Sequence, residues 1–199
     1  MSFSSFLSSA RRIGRKLILP SDQIKDYISE CVGETVHTAL DLGSGTLYWS
    51  YWLADSFGGK VAAVDPYYRS FPEKIASVYA QRIQLYADYF ECVSQNKIDL
   101  LWMCDVLHHL DRDFEERLFA SVTELNIPYV VIKDIDCRHR FGNKMNRFHD
   151  LIINHEKIRD VDPQELMQLL RKSGYAVSFR YLPKLWYPHF IMAAIKEQN

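Results

Sequence analysis

Residues Thr38 to Trp49 read Thr-Ala-Leu-Asp-Leu-Gly-Ser-Gly-Thr-Leu-Tyr-Trp, and they restrict the fold more tightly than any other stretch. A short apolar run ends in Asp41, the pair Gly43 and Gly45 follows, and a helix-like segment opens at Tyr48 and runs to Phe57. That is the order strand, tight turn, helix N-terminus. Glycine suits such a turn because it lacks a Cβ, so the backbone and its N–H groups are expected to come close to a ligand.

A dinucleotide fingerprint would place a third glycine where this chain has Tyr48, which counts against NAD or FAD. No Gly-Lys-Ser/Thr follows at the spacing of a Walker loop.

Alternation of strand and helix continues downstream. Ser21 to Val32 predicts a helix with Ile24, Tyr27, Ile28 and Cys31 on its apolar side. Strands are expected at Thr35 to Leu42, Lys60 to Asp65, Arg82 to Ala87, Ile98 to Cys104 and Tyr129 to Ile132, with Lys133 to Asp136 as a polar end beyond the fifth. Helices are expected at Glu73 to Tyr79, Glu115 to Leu125, Asn143 to Lys157 and Pro163 to Ser173, and a closing strand pair at Tyr175 to Leu182 and His189 to Ile195. The fold class is therefore α/β, a Rossmann-like doubly wound, mostly parallel seven-stranded sheet with helices on both faces.

The 199 residues suffice for one domain with a full core. Formal net charge is −1, so no overall field attracts nucleic acid, and none is expected as a partner. The cysteines 31, 92, 104 and 137 form no Cys-x-x-Cys pair, which fits a reduced, cytoplasmic compartment; Cys104 reads as a small hydrophobe. Metal-ligand spacing is absent, as is any run long enough for a membrane span.

Residues 1–34 are read as N-terminal helices and 35–199 as the main domain. Residues 1–20 carry Arg11, Arg12, Arg15 and Lys16 without an acid, among Phe3, Phe6, Leu7, Ile13 and Leu17 at near-helical spacing. Three roles are open to this segment: a lid over the site, peripheral docking on a membrane or acidic partner, or targeting.

The Asp-x-Gly-x-Gly pattern from Asp41 to Gly45 resembles the first motif of class I S-adenosylmethionine-dependent methyltransferases, and the order and spacing of elements extend that resemblance over residues 35 to 196. It implies S-adenosylmethionine as cofactor, with Asp41, Gly43, Ser44 and Gly45 under its methionine part. Asp65 stands 24 residues after Asp41, where a doubly wound fold places an acid for ribose hydroxyls. Pro66 follows it, Tyr67 is placed to stack near the adenine, and Asp88 with Tyr89, then Asp105 with Val106, complete the implied cofactor set.

Asp105-Val106-Leu107-His108 resembles the histidine motif after the fourth strand in C-methyltransferase domains of polyketide synthases. The resemblance implies a base at His108 paired with an acid after the fifth strand, here Asp134. The wording Val-Leu-His-His-Leu also occurs in ubiquinone-type methyltransferases, where the first histidine need not be a base. His108 or His109 capping the next helix is the plain alternative. Lys133 to Asp136 with Asn146, His149 and Asp150 resembles short stand-alone methyltransferases of aryl polyene and polyketide-like biosynthesis, which makes His149 a second candidate base. Arg138, Arg140, Lys144 and Arg147 are either a solvated run or a site for a phosphate or an acidic carrier protein.

The expected activity is methyl transfer to a small-molecule or carrier-tethered acceptor, an aromatic or phenolic carbon or oxygen. The rivals are an RNA or protein methyltransferase and a non-catalytic cofactor-binding adaptor. No Asn/Asp-Pro-Pro-Tyr/Phe motif follows the fourth strand, which lowers nucleobase N-methylation.

Overall fold

A computed structural model describes residues 21–33, 36–68, 75–136, 159–182 and 188–197. In chain order these form α1 (Ser21–Cys31), β1 (Thr38–Leu42), α2 (Tyr48–Phe57), β2 (Lys60–Val64), β3 (Ile83–Tyr86), α3 (Tyr89–Gln95), β4 (Leu100–Cys104), α4 (Arg112–Glu124), β5 (Tyr129–Ile135), α5 (Pro163–Lys172), β6 (Tyr175–Tyr181) and β7 (His189–Lys196).

The strands make one seven-stranded sheet in the order β3-β2-β1-β4-β5-β7-β6. β1 pairs in parallel with both β2 and β4, β2 with β3, and β4 with β5; β7 runs antiparallel to β5 and β6. The order reverses between β1 and β4, which is where an open α/β sheet leaves a crevice at its carboxyl edge.

Each face has its own core. On one, α1 and α2 bury Ile24, Tyr27, Ile28, Trp49 and Leu53 against Ala39, Leu100, Trp102 and Val131. On the other, α3, α4 and α5 bury Tyr89, Cys92, Leu118, Val122, Leu166 and Leu170 against Leu40, Leu101, Met103 and Ile132. Leu100 to Met103 are all fully buried, as expected of a parallel strand covered on both sides. Each such side chain contributes roughly 1.5–3 kcal/mol by leaving water. α1 is built into this core, and its Tyr27 hydroxyl meets Ser178 Oγ of β6 at 2.7 Å.

Helix starts follow their caps. Asp88, Asp111 and Asp162 accept the N–H of Glu91, Phe114 and Gln164 at 2.8, 2.7 and 2.8 Å. Gly58, at φ +68°, closes α2 with its N–H on the Ala54 carbonyl.

Two expectations need correcting. Of the helix expected over Glu73 to Tyr79, residues 73 and 74 lie outside the described residues, and the remainder is a single 3₁₀ turn, Ser77–Tyr79, none of whose side chains is buried. Ile75 and Tyr79 are only partly buried against the core and Val78 is exposed, too little apolar cover to hold a longer helix. The fifth strand, expected to stop at Ile132, continues through Lys133 and Asp134 to Ile135, because these residues pair with Ile191, Phe190 and His189 of β7.

Candidate active site

The glycine turn leaves β1 with Gly43 at φ +73° and Gly45 at φ +48°. Its N–H groups do not point outward as expected. Gly43 and Ser44 donate to the Val64 carbonyl at 2.8 and 3.1 Å, and Gly45 donates to Asp65 Oδ2 at 3.0 Å. The turn is thus tied to β2, and it presents bare Cα surface. A Cβ on Gly43 would lie 2.7 Å from Val106 Cγ2, so the turn after β4 packs directly on it. Ser44 is buried, and its Oγ has no hydrogen-bond partner among the described residues.

Asp65 is buried at the end of β2; its Oδ1 accepts the Tyr67 N–H at 2.9 Å. A carboxylate has roughly four acceptor positions, so two backbone donors leave it capacity for hydroxyl groups. Pro66 and Tyr67 are exposed beside it. Asp41 lies deeper, accepting from Ser50 Oγ at 2.5 Å. Burial, with the Asp65 charge adding to it, pushes its carboxyl up to about 7 against the opposing Ser50 bond. Asp88 is exposed as the cap of α3, whereas the Tyr89 side chain turns into the core and meets Ser121 Oγ at 2.8 Å.

The ends of β4 and β5 hold the densest polar cluster. Asp105 has φ +55°, a left-handed conformation uncommon for a residue with a side chain. Lys133 is fully buried, and its Nζ lies 2.6 Å from both Asp105 oxygens. Burial alone would raise the Asp105 carboxyl, but the charge of Lys133, helped by His189 and His108, brings it down to about 2. Burial likewise opposes the Lys133 charge, and Asp105 outweighs it, leaving the ammonium's pKa raised.

His108 and Asp134 come together. His108 sits on a 3₁₀ turn, Leu107–His109, with Nδ1 2.6 Å from Asp134 Oδ1. Asp134 also accepts the N–H of Leu107 at 3.0 Å and of Ile135 at 2.7 Å. A carboxylate on Nδ1 fixes the tautomer with Nε2 as the basic nitrogen. Both residues are buried, while His109, its ring tilted by 44° against that of His108 at 4.1 Å between centroids, is exposed. An open cleft of about 490 Å³ lies here, lined by His108, His109, Leu110, Asp111, Arg112, Arg159 and Asp160. Arg159 braces it, bonding the Leu107 carbonyl through Nε and pairing with Glu115.

The second candidate base, His149, lies outside the described residues, as do Asn146, Asp150, Arg138, Arg140, Lys144, Arg147 and residues 1–20. Reading the sequence missed the Lys133–Asp105 pair and the buried His189, whose Nδ1 is 3.9 Å from Asp105 Oδ1. A lysine directly after the apolar run Val130 to Ile132 was the available signal. The bond from the Tyr181 hydroxyl to Asp136, 2.5 Å, was missed too, since nothing local links them. Among the described residues no group of three or more His, Cys, Asp or Glu could hold a metal ion, and no helix is long and apolar enough to cross a membrane.

No protein-family model matches the chain, and no curated protein matches its sequence. Solved structures do match it. An S-adenosylmethionine-dependent methyltransferase from Archaeoglobus fulgidus aligns over 98 % of this chain and 100 % of its own, at TM-score 0.68 and 17 % identity. The chain has the methyltransferase fold. The same fold is shared with Burkholderia thailandensis 1,6-didemethyltoxoflavin N1-methyltransferase, over 98 % of this chain and 87 % of that one (TM-score 0.65, 19 % identity). Magnesium protoporphyrin IX methyltransferase from Synechocystis PCC 6803 aligns over 88 % and 81 % (TM-score 0.62, 16 % identity).

Within this methyltransferase fold two buried groups make opposite demands on pH. Asp41 holds its proton up to about 7 when folded, against 3.8 otherwise, so its contribution is full below about pH 4 and is lost as pH rises through 7. His189, buried beside the Lys133 charge, titrates near 4 instead of 6.5, so its contribution is full above about pH 6.5 and is lost as pH falls toward 4. Each amounts to roughly 3–4 kcal/mol at most, and over about pH 4 to 6.5 the two nearly cancel. Urea unfolding at about pH 4.5 and about pH 6.5 should therefore show wild type almost flat, Asp41→Asn gaining stability with pH, and His189→Gln losing it. Parallel slopes for the two variants would contradict this assignment.

Proposed function

We propose that the protein is an S-adenosylmethionine-dependent methyltransferase acting on a small-molecule acceptor. The observation that carries this is the His108–Asp134 pair at 2.6 Å, in a turn whose Val106 lies against the glycine turn of β1. The residues present fit the cofactor: an open face at Gly45, where an added Cβ would meet only the Gly43 carbonyl at 3.9 Å, a buried Ser44 hydroxyl lacking a partner among the described residues, and an Asp65 carboxylate with acceptor capacity left. Gly43, Ser44 and Gly45 would hold its methionine part, Asp65 the ribose hydroxyls, and Asp88 the adenine side. Asp41 supports the turn from beneath through Ser50. Val106 walls the pocket, and Asp105 anchors that wall.

When bound, S-adenosylmethionine supplies a methyl group on a positively charged sulfur. The chain's own part is to align the acceptor and take its proton. His108 Nε2 receives that proton, and Asp134 on Nδ1 stabilises the imidazolium that forms. Alignment in the cleft beside His108 supplies much of the remaining rate.

The acceptor is an aromatic or phenolic carbon or oxygen, free or carrier-tethered, as the likeness to aryl polyene-type enzymes implies. Ring-bearing acceptors have precedent on this fold: the Burkholderia enzyme holds 1,6-didemethyltoxoflavin with S-adenosylhomocysteine, and another neighbour is mitomycin 7-O-methyltransferase. Calorimetric titration with S-adenosylmethionine and S-adenosylhomocysteine tests the reading. Wild type should bind in the micromolar range and Asp65→Ala at least about 30-fold more weakly, since a charged hydrogen-bond acceptor is removed. A folded wild type that binds neither ligand would sink the proposal, and intact binding with no transfer to any acceptor would favour the cofactor-binding adaptor.

A further inference from the structure

We propose that Lys133 is a positioning residue, one half of a two-sided clamp that β5 closes on residues 105–108. The inference rests on the methyl-transfer reading for its purpose and on geometry for its existence. Lys133 and Asp134 are neighbours on a strand, so their side chains leave on opposite faces. Lys133 follows Val131 on the α1/α2 face, and Asp134 follows Ile132 on the other.

Each face holds one end of the same short turn. On the α1/α2 face the Lys133 ammonium meets both Asp105 oxygens at 2.6 Å. On the opposite face Asp134 takes the Leu107 N–H and His108 Nδ1. A third tie joins the backbones, the Asp105 N–H donating to the Lys133 carbonyl at 2.8 Å. Asp105, at φ +55°, is the residue that bends the chain out of β4 into this turn. Val106, between the two grips, is the side chain packed on Gly43. The wall of the cofactor pocket and the imidazole of the base are thus set by adjacent residues of one strand.

Stability alone does not call for a lysine here. An ammonium with no exposure pays heavily for lost water, and an apolar side chain of similar volume commonly replaces a buried ion pair at no loss. What an apolar residue cannot do is hold a carboxylate by both oxygens in a left-handed backbone. His189, 3.9 Å from Asp105 on the same face, is kept neutral by burial and by Lys133, so it does not compete as a cation for that carboxylate.

The test uses the full chain, uniformly ¹⁵N-labelled. In wild type, proton NMR should show a hydrogen-bonded Nδ1 proton that His108→Gln removes, and the amides of Asp105 and Leu107 should exchange slowly. Lys133→Met leaves the half-buried Asp105 carboxylate without its cation and is expected to fold poorly, so the double variant Lys133→Met/Asp105→Asn, which removes both charges, carries the comparison. In it the Nδ1 proton should vanish into solvent exchange and S-adenosylhomocysteine should bind about tenfold more weakly, because Val106 and His108 lose their fixed positions.

A folded double variant with an unchanged Nδ1 proton and unchanged affinity would overturn the clamp, even if its melting temperature fell. Fast exchange of the Asp105 and Leu107 amides in wild type would overturn it without any variant. If wild type does not bind S-adenosylhomocysteine, the methyl-transfer reading fails, while the histidine and amide signals still decide the clamp.

Discussion

Replacing His108 by Ala is expected to lower methyl transfer by about 10²- to 10⁴-fold while leaving affinity for S-adenosylhomocysteine within about threefold of wild type. The asymmetry follows from where the ring sits. Its Nδ1 meets Asp134 at the end of β5, whereas the glycine turn is tied to Val64 and Asp65 at the end of β2. The loss should therefore fall on the proton-transfer step. His108→Gln is the companion variant, because it keeps a polar group beside the buried Asp134 and separates lost basicity from a lost partner. Transfer of a labelled methyl from S-adenosylmethionine, measured beside calorimetry on the same samples, decides the matter. Equal loss of turnover and binding in both variants would make His108 a structural residue. Loss of turnover at His149 alone would move the base there.

The second large effect is on stability. Gly59 joins α2 to β2, and a Cβ added to it would lie 2.4 Å from the His37 carbonyl oxygen and 2.9 Å from that of Val36. Those atoms are backbone, and the His37 carbonyl already accepts the Lys60 N–H at 2.8 Å, aligning β2 with β1. Relief requires shifting a strand, so Gly59→Ala is expected to cost about 3 kcal/mol or more, at the upper end of overpacking. Its neighbour is the control. Gly58 has φ +68° and nothing within 4 Å of an added Cβ, so Gly58→Ala should cost only the left-handed conformation, about 1–2 kcal/mol. Chemical denaturation of the two variants would refute this if their losses were equal.

Much of this architecture was legible because buried parallel strands announce themselves as apolar runs and glycines mark the turns. Lys60 to Val64 and Leu100 to Cys104 stand out that way, and α2 spans Tyr48–Phe57 as read. The pairing of His108 with Asp134 was also reachable, since both follow apolar runs that end at the same edge of the sheet. Other features were hidden, each for its own reason. Lys133 looked like the end of a strand because a charge ordinarily stops one, and only its partner 28 residues earlier makes the burial tolerable. The glycine turn looked like an outward-facing donor cradle, because sequence does not show that β2 takes up its N–H groups. His189 opens β7 and gives no sign of the strand it will meet, since β7 reaches β5 only by coming between it and β6.

That last arrangement bears on how the chain is made. β6 precedes β7 in synthesis, yet within the sheet it pairs only with β7. When β6 leaves the ribosome it has no strand to join, and the flank of β5 that β7 will occupy is still open. The parallel part, β1 to β5, can assemble first, whereas the antiparallel edge of the sheet can close only when β7 wedges in. A nascent chain stalled before residue 189 should therefore expose two unsatisfied strand edges at once, and this is the stage at which a chaperone would have most to protect.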